Sequence, residues 1–267
     1  VSVSMPTLQE VIDYEENTNG IHEKIKSAYP RFVMHPYLKK MAEFLRQKYN
    51  ISDKYEIVVV SSKKAVSIIS DKYFIHNPIK IDEPFGVILV IKGTSQLDKV
   101  LTFIQHVGCN LSSRYAEDYL FDKGILKSIQ KEELESQENS EEILFSTLAL
   151  AYRQPKENIC LAPSGMNAIY TVLEGLKVIQ NRNNRNILVQ LGWLYLDTMN
   201  IVKNHYDKTK LFYDINALDS LEEYLKTEGN RVSAIITEVP TNPLLITVDV
   251  QRLKQLCIKY NIPLVID

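Results

Sequence analysis

Cysteine is scarce in this sequence, neither charge predominates, and no long apolar run occurs. Each shortage excludes something. Three cysteines, Cys109, Cys160 and Cys257, lie far apart along 267 residues. They form no metal-binding spacing and no even disulfide set, so a reducing, cytoplasmic setting is expected. Lys plus Arg number 31 and Asp plus Glu 33, a formal net charge of −2. Such a chain carries no electrostatic footprint for nucleic acid or a membrane surface. No apolar run reaches bilayer-spanning length, and no signal peptide is visible. No G-x-G-x-x-G follows a strand-like run, which disfavours a Rossmann dehydrogenase. Pro163-Ser164-Gly165 lacks the flanking glycines of a nucleophile elbow, which disfavours a serine hydrolase. Hydrophobic residues make up 45% and charged residues 24%, the ordinary balance of a globular chain.

What is present centres on Leu161 to Leu176, LAPSGMNAIYTVLEGL. Pro163, Ser164 and Gly165 suit a turn. Met166, Ile169, Tyr170, Leu173 and Leu176 then recur at helical spacing. A helix opening at such a turn offers unpaired N–H groups and the positive end of its dipole. Gly165 lets an anion approach the backbone, as in a phosphate cradle. The same residues also suit an ordinary helix with Ser164 as N-cap. The runs NILVQ (186–190), AIIT (234–237) and PLVID (263–267) read as buried parallel strands separated by helices. Each ends in polar or special residues. In an open α/β sheet, ligands sit outside the carboxyl ends of the strands. A helix N-terminus, an aromatic ring, an amide and a carboxylate are therefore expected on one edge.

Four motifs in order carry a resemblance. Ser164-Gly165-Met166-Asn167-Ala168-Ile169 follows S-G-M-x-A-I, and Tyr195-Leu196-Asp197-Thr198 follows Tyr-x-x-Thr. Glu238 to Pro243 follows E-x-P-x-N-P, and Val265-Ile266-Asp267 follows Val-x-Asp. The set resembles the Cys/Met-metabolism family of pyridoxal-phosphate (PLP) enzymes, the cystathionine γ-synthase group. The resemblance implies part of a fold-type I PLP-dependent transferase large domain, a mostly parallel sheet with helices on both faces. It implies that the Gly165 and Met166 N–H groups take the cofactor phosphate and that Tyr195 stacks on the ring. Asn242 bonds the ring hydroxyl oxygen, and Asp267 faces the ring nitrogen, where a carboxylate favours the charged pyridinium. Each residue also has a plainer reading: Tyr195 as a core aromatic, Asn242-Pro243 as a turn, Asp267 as a helix cap. Trp193 competes with Tyr195, because two residues along a strand return to the same face. Glu238 reads as a strand-end support and Thr198 as structural.

In the family, a Tyr-x-Arg segment from the neighbouring subunit reaches the phosphate. The corresponding residues are Ser112-Ser113-Arg114, which keep the arginine fork but lack the tyrosine. Arg114 is therefore either a phosphate ligand or a surface arginine. The resemblance places the Schiff-base lysine and the substrate-carboxylate arginine beyond Asp267. Together with Val1 at the start and a strand-like run at the end, this implies an inactive piece of a longer protein. The whole protein is expected to act on a small amino-acid substrate. The reaction implied is γ-replacement on an activated homoserine ester, in a homodimer or a dimer of dimers. A C–S lyase or sulfhydrylase of the same family, or a truncated non-catalytic module, are the alternatives.

Residues 1–107 are expected to form an α+β region, and 108–267 part of the PLP-binding domain. Thr7 and Glu10 make a capping-box pattern at the start of a helix. Pro36 to Tyr49 reads as an amphipathic helix, and YEIVVV (55–60) and FGVILVI (85–91) as strands. Helices are expected at 63–69 and 95–105. The segments M-P-T-x-x-x-V-x-x-Y-E-E (Met5 to Glu16) and Y-P-R-F (Tyr29 to Phe32) resemble the amino-terminal region of longer, fungal-type cystathionine γ-synthases. Arg31 and His35, beside aromatics, read as packing residues. The run Lys131 to Glu142 reads as a solvated helix face or loop, and an apolar helix follows from Ile143.

Overall fold

A computed structural model describes residues 7–24, 34–130 and 139–267. Met5-Pro6, the Tyr29 to Phe32 segment and residues 131–138 lie outside the described residues. Contacts group the chain into two units. One comprises the residues up to Gln105 with Cys109–Pro163, and the other His106–Gly108 with Ser164–Asp267.

The first unit begins with α1 (Leu8–Glu15), whose capping box forms as expected: Thr7 Oγ1 accepts from the Glu10 N–H, and Glu10 Oε2 accepts from the Thr7 N–H. A single turn, α2 (Ile21–Lys24), precedes α3 (Pro36–Lys48). His35 caps α3 through Nδ1, with proline at the first helical position where no N–H is needed. Then follow β1 (Tyr55–Val60), α4 (Lys63–Tyr73), β2 (Gly86–Ile91), α5 (Ser95–Val107), α6 (Ser113–Asp122) and α7 (Ser140–Tyr152). The two strands pair antiparallel. Ile57, Val59, Val87 and Leu89 on one face pack with Leu38, Met41 and Leu45 of α3 and with Ala116, Tyr119 and Leu120 of α6. The opposite face is buried as well, so residues 57–60 and 87–90 read as continuous apolar runs.

The second unit is a four-stranded parallel sheet. Its elements are α8 (Gly165–Asn181), β3 (Ile187–Leu191), α9 (Leu196–His205), β4 (Lys208–Phe212), α10 (Leu218–Glu228), β5 (Val232–Thr237), α11 (Val250–Lys259) and β6 (Leu264–Ile266). The strand order is β4-β3-β5-β6. Val189, Leu191, Val232 and Ile235 face α10 and α11. Leu188, Ala234, Ile236 and Val265 face α8 and α9. The alternation sorts one apolar run into two cores. Strand β4 escapes sequence reading, because Lys208, Thr209 and Lys210 are exposed and only a buried run signals a parallel strand. No helix among the described residues is long and apolar enough to cross a membrane.

Candidate functional site

The carboxyl edge of this sheet collects the groups that the motifs name. β5 pairs with β6 as Ile236 with Val265 and Thr237 with Ile266. The ladder runs one residue further: the Asp267 N–H donates to the Thr237 carbonyl at 3.0 Å, and the Val239 N–H to the Asp267 carbonyl at 3.2 Å. Glu238 and Asp267 therefore lie side by side. Side chains alternate along a strand, so both stand on the face that carries Ile236 and Val265, where α8 and α9 pack.

From that face Asp267 Oδ2 accepts a hydrogen bond from Thr198 Oγ1 at 3.2 Å, and the same hydroxyl lies 4.0 Å from Met166 Sδ. Thr198 is fully buried in the first turn of α9, and Met166 lies in the first turn of α8. The start of α8, the start of α9 and the end of β6 thus meet at one hydroxyl. Tyr195 is the N-cap residue of α9, half-buried against the cluster that contains Met166 and Leu194. Trp193 is 52% exposed. The two do not share a strand face as expected, since β3 ends at Leu191 and Gly192 turns the chain at φ +76°. A Cβ on Gly192 would fall 2.9 Å from Ile215 Cβ, so glycine is required there.

The two helix starts differ electrically. α9 carries Asp197 in its first turn, buried and 3.8 Å from His106 Nε2. That carboxylate answers the dipole of its own helix. α8 has no acid in its first turn. Its Ser164 Oγ accepts the Asn167 N–H, which leaves the Gly165 and Met166 N–H groups pointing out of the turn. A Cβ built on Gly165 would meet no atom within 4 Å, so the approach to this backbone is open. An anion such as a phosphate fits there. The second oxygen of Glu238 is buried with no hydrogen-bond partner among the described residues, another polar group at this edge that a ligand can answer.

Asn242 is exposed in the loop after β5, where its N–H donates to Glu238 Oε1 at 3.0 Å, the support expected of Glu238. Arg114 lies in the first unit, exposed in the first turn of α6, which Ser112 caps by accepting the Tyr115 N–H. One hollow of about 730 Å³, lined by Arg185, Lys254 and Asn261 among others, lies at the opposite ends of the strands, against Pro263 and Leu264. Sequence reading missed His106 and Asp197, because a histidine so far upstream gives no sign of its partner.

A parallel sheet flanked by helices, with an acid-free helix start and a carboxylate on its carboxyl edge, has the architecture of fold-type I PLP enzymes. The sequence profile of the Cys/Met metabolism PLP-dependent enzymes matches residues 137–267, and that part of the chain belongs to this family. Along its whole length the chain is 29% identical to an L-2-amino-4-chloropent-4-enoate dechlorinase/desaturase of Streptantibioticus cattleyicolor, covering 54% of that protein. It is 23% identical along its whole length to a cystathionine γ-synthase-like enzyme of Amanita muscaria, covering 58% of it. A cystathionine γ-synthase of Neurospora crassa is 36% identical over 42% of the chain and 19% of its own length. The chain spans about half the length of the relatives that it matches end to end.

Proposed function

We propose that the protein binds pyridoxal 5′-phosphate at the carboxyl edge of the second unit and serves chemistry at the γ-carbon of a small amino acid. The observation that carries this is the Met166–Thr198–Asp267 contact, which joins the anion-accepting turn to the carboxylate. The Gly165 and Met166 N–H groups hold the phosphate, and Tyr195 covers a ring face. Asn242 bonds the ring oxygen, braced from behind by Glu238. Asp267, steadied by Thr198, accepts from the ring nitrogen. When bound, the cofactor supplies an electron sink for carbanions of amino acids.

The cystathionine γ-synthase-like relatives favour γ-replacement on an activated homoserine ester. The dechlorinase/desaturase, whose named substrate carries chlorine on C4, favours loss of a γ-substituent without replacement. Both readings share departure of a group from the γ-carbon, and a homodimer or dimer of dimers, with Arg114 reaching a neighbour's phosphate, fits either. The test has two stages. Titration with PLP, followed by quenching of the sole tryptophan, Trp193, should saturate and be competed by inorganic phosphate. No saturable binding would refute the site. Incubation of the whole protein, including the lysine expected beyond Asp267, with an O-acyl homoserine and cysteine should then yield a thioether. A 2-oxo acid without thioether would point to elimination instead.

A further inference from the structure

Three consecutive residues of the second unit, His106, Val107 and Gly108, touch the first turns of both α8 and α9. The Gly108 carbonyl accepts from Ser164 Oγ at 3.0 Å, and the Val107 carbonyl accepts from the Asn167 side-chain amide at 3.4 Å. His106 Nε2 lies 3.3 Å from Asn200 Nδ2 and 3.8 Å from Asp197 Oδ1. Gly108 sits at φ +66°, and a Cβ there would fall 2.3 Å from Ser164 Oγ and 3.1 Å from Met166 Cβ. Only glycine allows this approach.

We propose that His106–Gly108 is a clasp that holds the anion-binding turn of α8 in register with the ring-facing first turn of α9. His106 and Gly108 are its positioning residues. This inference rests on the cofactor reading above. Ser164 has a single hydroxyl proton. Spending it on the Gly108 carbonyl aims the oxygen lone pairs at the Asn167 N–H, which fixes the cap and keeps the two preceding N–H groups for a ligand. Asn167 ties the same turn to Val107 from its side chain. His106 anchors the other end on α9, where it faces the Asp197 carboxylate. That acid stands one residue from Thr198, and Asn200, one turn further along α9, meets the same His106 nitrogen. The clasp therefore sets the spacing of the two turns.

The test compares pyridoxal 5′-phosphate with pyridoxal, which lacks the phosphate, in the chain and in its Gly108→Ala and His106→Gln variants. Far-UV circular dichroism and Trp193 emission verify the fold. The unaltered chain should bind the phosphorylated form at least about tenfold more tightly, the worth of one charge-assisted hydrogen bond. Each variant should lose about tenfold in affinity for it while pyridoxal affinity stays within about twofold. A merely structural role would weaken both ligands alike, and that result overturns the clasp. So does a folded variant with unchanged preference. If the unaltered chain shows no preference, the cofactor reading falls and the clasp with it. Should Gly108→Ala fail to fold, His106→Gln decides alone.

Discussion

Replacing Glu83 by glutamine should remove a buried charge of the first unit that three side chains bind. Glu83 is 4% exposed, and its carboxylate accepts from Lys48 Nζ at 2.6 Å, Tyr49 Oη at 2.9 Å and Tyr119 Oη at 2.8 Å. Burial pushes this carboxyl up, but the three donors outweigh it and hold it below its ordinary value. A folded pKa below the unfolded one means stability that is present above the unfolded carboxyl range, about 4.3, and lost as pH falls through the folded value. Glutamine keeps one acceptor oxygen and sets an amide donor against another donor. Tyr119 is buried and cannot turn to water, whereas the Lys48 side chain is 37% exposed and can. A buried donor left unsatisfied costs about 1–3 kcal/mol, and breaking a buried ion pair about 3–5 kcal/mol. With Lys48 free to rehydrate, a loss of about 2–3 kcal/mol is expected near neutral pH. Hydrogen exchange at the β1 and β2 amides reads this unit alone, while Trp193 emission, from the second unit, should not change. As pH falls from about 4.3 through the lower folded value, the two proteins should converge, because the carboxylate advantage titrates away. A loss under about 0.5 kcal/mol, or a gap that persists on acidification, would refute the reasoning.

Thr198→Val removes the donor to Asp267 inside a fully buried position and should cost about 1 kcal/mol in urea unfolding followed at Trp193. It should also weaken PLP binding several-fold, and an unchanged titration would separate Asp267 from the cofactor. Native-state alkylation at pH 8 should label exposed Cys160 alone, since burial pushes the Cys109 thiol up to about 12 and the Cys257 thiol up to about 11. Labelling of Cys109 as fast as Cys160, read by peptide mass, would contradict that burial. Gly86→Ala puts a Cβ 2.4 Å from the Ser62 carbonyl oxygen and 2.5 Å from Val60 Cγ2. It should destabilise the first unit by about 1–3 kcal/mol, seen as faster exchange in β2.

Local chemistry alone settled several elements. The Thr7/Glu10 box starts α1, Ser164 caps α8, and the apolar runs of β3, β5 and β6 form parallel strands, since each signal acts over a few residues. The family was also readable, because its motifs are short and their order lies in the chain. What needed the tertiary structure depends on where a residue ends up, not on what it is. β4 looks like a polar loop until an edge of the sheet receives it. Trp193 and Tyr195 part company because Gly192 ends the strand. The register of β5 against β6 decides that Glu238 and Asp267 stand together, and only packing puts Thr198 between Met166 and Asp267. Glu83 meets Lys48 from 35 positions away, and Gly108 meets Ser164 across 56. Hydrogen bonds act over about 3 Å of space and are blind to separation along the chain, so such partners become visible only once the chain has folded.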